Sequence, residues 1–182
     1  MKRFVLGVVL MIFLGCSPSV TDLGYLDEDY EGFIEQISKL EKTTMRLYEG
    51  FPHPEWEWQL FETESQKSGV IERGGHLFYE QFQDLDEESS SALQTLLLKA
   101  DSYERRVASL KGCGGFHPDY DVVFLKEGEE VHLLICFGCD EVNLVRNDKV
   151  YMVDIEGKGS AEEVFREVLG GFRVQRPSTD LL

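Results

Sequence analysis

Basic residues are scarce in this 182-residue chain, which has 18 lysines and arginines against 34 aspartates and glutamates and a formal net charge of −16. An acidic excess of this size repels phosphate backbones and anionic lipid headgroups. The composition therefore excludes nucleic acid as a partner. Intrinsic disorder is excluded too, because 42% of the residues are hydrophobic and 12% are aromatic, whereas disordered chains combine high charge with low hydrophobicity.

The sequence also lacks the motifs that indicate a known catalytic chemistry. It contains no G-x-S-x-G, Walker or dinucleotide-binding pattern. Neighbouring carboxylates, such as Glu62 with Glu64, are typical of a solvated acidic surface rather than of an acid and base pair. The sequence thus favours a non-catalytic binding or structural role that needs no cofactor.

Long apolar runs are absent except at residues 4–14, and that run is about half the roughly 20 residues needed to span a bilayer. Lys2 and Arg3 precede it, and Gly15 and Cys16 follow it. A positive start, an apolar stretch and a small residue at the cleavage site are typical of a secretory signal peptide. The segment resembles bacterial lipoprotein signals, in which the cysteine is lipidated and becomes the first residue of the mature chain.

This resemblance implies that Cys16 anchors the protein in the cell envelope. One acyl chain binds a membrane weakly and several bind it stably, so a diacylglyceryl group with a further acyl chain such as palmitate would make the membrane a permanent partner. Ser17, in place of the Asp that retains lipoproteins in the inner membrane, implies the periplasmic face of the outer membrane of a Gram-negative bacterium. Four parts are then predicted: a signal peptide at residues 1–15, a lipidated tether at 16–25, a single domain at 26–172 and a frayed tail at 173–182.

Three amphipathic helices are predicted, near residues 27–48, 86–99 and 160–170. Each has apolar residues at spacings of three, four or seven, and acidic or capping residues at its start, including either Asp84 or Asp86 and the pair Ser160 and Glu163. After Pro54, the segment carrying Trp56 fits either a helix or a strand. His53, between two prolines, is more typical of a turn element than of a ligand.

The β-rich segments predict an antiparallel arrangement. Residues 69–72 and 76–82 flank two glycines and predict a hairpin. Four further runs are divided by the turn signals Gly128, Gly138 and Asn147, and they lie at residues 120–126, 130–137, 141–146 and 149–155. We therefore predict an α+β fold in which an antiparallel meander packs against about three amphipathic helices in a single domain.

The cysteines carry the chemistry that the sequence offers. With Cys16 assigned to lipid, the three that remain are Cys113, Cys136 and Cys139, and an odd number in an exported protein requires an explanation. Thiols usually pair in an oxidising compartment. One interpretation is a structural disulfide from Cys113 to Cys136 or Cys139, which would stabilise the fold by roughly 3 kcal/mol, with the other thiol buried.

A second interpretation adds His117, since Cys113 and His117 followed by Cys136 and Cys139 form C-x3-H and C-x2-C. Three thiolates and one imidazole are a complete structural zinc set. The two later cysteines would point apart on an extended strand, so this site requires a turn, for which Gly138 is suited. A third interpretation, a redox-active pair, lacks the helix N-terminus that lowers a thiol pKa. The sequence leaves these alternatives open.

Four short motifs extend the comparison beyond the signal segment. They are LYEGFPHP at residues 47–54, HLFYE at 76–80, CGGFHPDY at 113–120 and CFGC at 136–139. In this order they resemble a family of uncharacterised bacterial proteins, many of them small and exported or lipid-anchored, over roughly residues 45–169. The resemblance implies that Cys113, Cys136 and Cys139 form one unit, together with His117, and it implies no activity.

The function predicted from the sequence is therefore a lipid-anchored envelope protein with a non-catalytic binding or structural role, whose envelope partner is not specified. The alternative is a metal-binding or thiol-redox protein in which Cys113, His117, Cys136 and Cys139 do the work, with zinc as the cofactor.

Overall fold

The structure is a computed structural model, and it describes residues 27–40, 44–97, 99, 102–106, 114–126, 128–147, 149–155 and 161–177. These residues form four α-helices: α1 (Asp27–Ile37), α2 (Trp58–Ser65), α3 (Glu87–Leu97) and α4 (Ala161–Gly170). Their nine strands are β1 (Thr44–Glu49), β2 (Val70–Arg73), β3 (His76–Tyr79), β4 (Gln83–Asp84), β5 (Glu104–Arg105), β6 (Tyr120–Lys126), β7 (Glu129–Cys136), β8 (Glu141–Arg146) and β9 (Lys149–Asp154). The predicted signal peptide, Cys16, Cys113 and Ser160 lie outside the described residues.

Seven of the strands form one antiparallel sheet in the order β4-β1-β6-β7-β8-β9-β5. The predicted meander is confirmed, because β6 to β9 pair consecutively in this sheet. The predicted hairpin is also confirmed as the pair β2 and β3. A single bridge between Gly50 and Phe78 connects this hairpin to the end of β1.

Successive side chains of a strand point to opposite faces of the sheet, and the two faces of this sheet are covered by different elements. Val122 and Leu133 lie on the face that packs against α1, α3 and α4, where Phe33, Leu93 and Phe165 are fully buried. On the other face, a smaller apolar cluster sits under the β2–β3 hairpin and consists of Tyr48, Phe78, Val123 and Leu134. This arrangement confirms the predicted single α+β domain with three helices against the meander.

The predicted helix over residues 27–48 is wrong beyond residue 40. Helix α1 ends at Ile37, a short 3-10 turn follows at Ser38–Leu40, and residues 44–49 are strand β1. Met45 and Leu47 lie two residues apart, a spacing that fits a strand as well as a helix in so short a segment. Pairing decides the outcome, since β1 lies between β4 and β6 and both partners contribute to its hydrogen-bonding ladder.

Two other local predictions have definite outcomes. The carboxylate of Asp86 accepts the backbone N–H of Ser89 at 2.7 Å, so of the two predicted candidates it is Asp86, and not Asp84, that caps α3. The hydrogen bond also lowers the pKa of Asp86. The segment after Pro54, which fitted either structure, becomes helix α2 from Trp58, while Trp56 lies in the preceding turn.

Candidate functional site

The four motifs named above meet at one end of the large sheet. The backbone N–H of Gly50 donates to the carbonyl of Asp119 at 2.7 Å, and that of Phe51 donates to Leu77 at 3.1 Å. The N–H of Asp119 donates in turn to Ile135 at 2.7 Å, just before the CFGC turn. Backbone hydrogen bonds thus link segments that are far apart in the sequence, so the position of each one depends on the others.

These segments enclose a pocket of about 240 Å³. We call it the histidine pocket and define it by His53, His117, Asp119, Cys136, Cys139 and Arg176. The indole of Trp56, which is 67% exposed, contributes to its lining. A concave site with a few converging polar groups is the usual form of a small-ligand site.

Two imidazole rings form one side of this pocket. The ring centroids of His53 and His117 are 4.8 Å apart. His53 is held in its turn because its Nδ1 accepts the backbone N–H groups of Glu55 at 3.1 Å and Trp56 at 3.3 Å. Because Nδ1 accepts these hydrogen bonds, the ring carries a proton on Nε2. The interpretation of His53 as a turn element is correct, but this residue is also a pocket residue, which the sequence does not reveal.

His117 is neutral at physiological pH. Its pKa falls to about 4, mainly because burial disfavours the imidazolium, and also because the positive charges of His53 and Arg176 oppose protonation. A neutral imidazole offers a lone pair that can accept a hydrogen bond or ligate a metal.

The low pKa of His117 predicts a pH-dependent loss of stability. The unfolded chain binds this proton near pH 6.5, while the folded chain binds it only near pH 4. The stabilisation is therefore complete above pH 6.5 and is lost as the pH falls towards 4. Urea unfolding measures the effect. Between pH 7 and pH 5, the free energy of unfolding of the wild type should fall by about 1 kcal/mol more than that of His117→Gln, after allowance for solvent screening.

His76 provides an internal reference for this measurement. Burial lowers its pKa as well, so it contributes to the pH dependence of both proteins and cancels in their difference. Equal losses of stability in the wild type and in His117→Gln would contradict a neutral, buried His117.

Arg176 connects three of the segments around the pocket. Its guanidinium forms ion pairs with Glu57 and with Asp119, where the Nη1–Oδ1 distance is 3.2 Å, and the side chain is 9% exposed. Glu57 also accepts the backbone N–H of His53 at 2.8 Å, and Asp119 accepts that of Phe137 at 2.8 Å. Paired and hydrogen-bonded charges can remain in such a buried position.

The segment that carries Arg176 is held by a buried carboxylate. Glu49, at 1% exposure, accepts the backbone N–H groups of Val174 at 3.1 Å, Gln175 at 2.7 Å and Arg176 at 3.0 Å. The prediction of a frayed tail is therefore wrong for residues 173–177. The tail docks because Glu49 lies inside the protein and would otherwise be a buried carboxylate without hydrogen-bond donors.

The CFGC turn brings Cys136 and Cys139 together. The two cysteines are 3.2 Å apart and are not bonded to each other. They are close because the chain turns between them, as the zinc interpretation required. The left-handed conformation of this turn falls on Asp140, with φ 52°, rather than on Gly138. A short polar side chain tolerates this conformation better than most.

The two cysteines have different surroundings. Cys136 is a buried free thiol, and burial raises its pKa although the backbone N–H groups of His117, Cys139 and Gly138 favour the thiolate. The Sγ atom of Cys139 lies 3.3 Å from the carbonyl oxygen of Gly115. A thiol with a raised pKa is a weak nucleophile at neutral pH.

Within the described ranges, no group of three or more His, Cys, Asp or Glu residues is arranged to hold a metal ion. In the same part of the chain, no helix combines the length and apolar character that a membrane span requires. The pocket offers hydrogen bonding by the imidazoles of His53 and His117 and by the guanidinium of Arg176, which two carboxylates hold in place.

No model of a known protein family matches this chain, and no curated protein matches it either. Among solved structures, the chain is similar to a protein from Clostridium perfringens that is provisionally described as a lipoprotein. The two share 13% sequence identity and a TM-score of 0.47, over 80% of this chain and 97% of the other.

Proposed function

We propose that this chain is a lipid-anchored cell-envelope protein, attached through Cys16, that binds a small ligand in the histidine pocket without catalysing a reaction. The signal-like segment at residues 1–16 supports the anchor. The observation that carries the binding role is the pocket of about 240 Å³, at which motifs distant in sequence converge. Ser17 supports the outer membrane as the site of attachment.

The cysteines have a structural role in this proposal. We infer that Cys113 pairs with Cys139 and that Cys136 stays reduced. The carbonyl oxygen of Gly115, two residues after Cys113, lies 3.3 Å from Sγ of Cys139, and Cys136 is a free thiol. Such a disulfide would hold the loop of His117 against the CFGC turn and stabilise the fold by roughly 3 kcal/mol.

One preparation tests both the anchor and the disulfide. The wild type, extracted from membranes with detergent and without chelator, should contain one titratable thiol after denaturation and no stoichiometric metal. Cys16→Ser should lose fatty-acid labelling and give the same thiol count, because Cys16 is the lipid-modified residue and the other three cysteines are unchanged. Thiol titration, elemental analysis and acyl labelling are the measurements.

Lipid labelling that persists in Cys16→Ser would contradict the anchor. Three titratable thiols in the wild type would contradict the disulfide. Cys136→Ser is the matched control for the count, since it removes the thiol that is predicted to be reduced and should leave none to titrate.

A zinc protein is the second candidate function. It is favoured by the position of the Cys136 thiol and the neutral imidazole of His117 at the same pocket. With its disulfide reduced, Cys139 would add a second thiolate, and Cys113 a third, which together with the imidazole makes a complete zinc set. About one equivalent of zinc with three titratable thiols would establish this alternative.

A further inference from the structure

A second pocket adjoins the histidine pocket and shares Asp119 and Arg176 with it. Its volume is about 160 Å³. We call it the arginine pocket, because its lining includes Arg166, Arg173 and Arg176. It has room for a polyatomic group rather than for a single water molecule, which needs about 10–15 Å³.

The charge of this pocket is opposite to that of the whole protein. Three guanidinium groups face two carboxylates, Glu49 and Asp119, in the lining, although the chain carries a formal net charge of −16. Both carboxylates already have partners within the protein. Glu49 accepts three backbone N–H groups, and Asp119 accepts one backbone N–H group and pairs with Arg176.

Two arginines of the arginine pocket have donor groups without such partners in the ranges that the structure describes. In the described part of the chain, no carboxylate forms an ion pair with Arg173, which is exposed. Nε of Arg176 is buried without a hydrogen-bond partner among the described residues. An unpaired buried donor is costly, so a polar occupant that approaches this side chain would have a favourable interaction to gain.

Arg166 and Tyr120 add to this donor set. The guanidinium of Arg166 lies 4.4 Å from the ring centroid of Phe137 and is oriented by Glu162, at 2.6 Å from Nε. Burial, followed by the charge of Glu49, raises the pKa of Tyr120 to about 12. The phenol therefore keeps its proton and can donate it in a hydrogen bond.

We propose that the arginine pocket binds the carboxylate or phosphate group of a small soluble anion. The planar, forked guanidinium group is suited to recognising such oxygens in pairs. The inference rests on the proposed function in that the same anion would extend across Asp119 and Arg176 into the histidine pocket. It adds the chemical class of the ligand, which that function leaves unspecified.

Titration of the detergent-solubilised full chain with inorganic phosphate, and separately with acetate, tests the proposal by calorimetry. Arg173→Ala should weaken the binding of at least one of the two anions about ten-fold or more. Lys149→Ala is the matched control, because it removes an exposed positive charge at the far end of the sheet, at the β8–β9 turn. It should change the affinity less than two-fold.

Absence of binding by both anions, or equal losses in the two variants, would overturn the inference. Binding to phosphatidylglycerol vesicles but to neither free anion would also overturn it, in favour of a lipid headgroup. The test is independent of the anchor and the disulfide, which acyl labelling and the thiol count assess. A failure of the anion site can therefore be distinguished from a failure of the lipid anchor or of the disulfide.

Discussion

Replacing Gly50 by alanine is expected to lower the free energy of unfolding by about 3 kcal/mol or more. A Cβ atom at this position would lie 2.0 Å from the carbonyl oxygen of Pro118 and 2.8 Å from the carbonyl carbon of Asp119. These are backbone atoms, so no side-chain rotation relieves the clash. The hydrogen bond from Gly50 to Asp119 and the bridge to Phe78 would have to separate, and the wall of the histidine pocket would move with them.

Gly138→Ala is the matched control for this substitution. Gly138 lies at the same pocket, but a Cβ atom there meets nothing within 4 Å, and its φ is not positive. Urea unfolding should place this variant within about 0.5 kcal/mol of the wild type. If Gly50→Ala were as stable as Gly138→Ala, the close approach between the end of β1 and the segment before β6 would not be a constraint on the fold.

Replacing Glu49 by alanine is expected to cost roughly 3 kcal/mol and to release residues 174–176 from the domain. Hydrogen bonds to charged groups contribute about 1.5–3 kcal/mol each, and Glu49 accepts three of them from this segment. Undocking lets the freed N–H groups reach water, which limits the total cost. It also withdraws Arg176 from Glu57 and Asp119, so the effect extends into both pockets.

Limited trypsin digestion is the direct measurement, together with urea unfolding. The variant should be cleaved after Arg173 much faster than the wild type, because a released segment is accessible to proteases. Glu72→Ala is the control, since it removes an exposed carboxylate from the β2–β3 hairpin. Unchanged cleavage in Glu49→Ala would show that other contacts hold the tail.

The elements that were predicted correctly are those whose signals are local. Strands β6 to β9 have turn residues at short intervals, and helix α3 has an apolar stripe within its own eleven residues and a cap directly before them. Strand β1 was mistaken for the end of a helix because its pattern is ambiguous over six residues. Its partners, β4 and β6, are about 35 and 75 residues away in the chain, so no local pattern identifies them.

The candidate site divides in the same way. His117, Cys136 and Cys139 are recognisable as chemical groups in the sequence, and the structure places all three at one pocket. The residues that complete the site were not recognised: His53 was assigned to a turn, and Arg176 to a frayed tail. In the sequence, an arginine in a C-terminal segment does not differ from any surface cation; only the tertiary structure places the Glu57 and Asp119 carboxylates beside it.

The sequence by itself determined the acidic character of this protein and its α+β class, and it predicts the anchor, because charge, periodicity and a signal segment are properties of composition and of neighbouring residues. Only the tertiary structure decided that Glu49 would hold the C-terminal segment and that Arg176 would bridge the two pockets. Both contacts join residues more than 50 positions apart. They form because a buried carboxylate and a buried guanidinium lose their hydrogen bonds to water, and protein groups must replace those bonds.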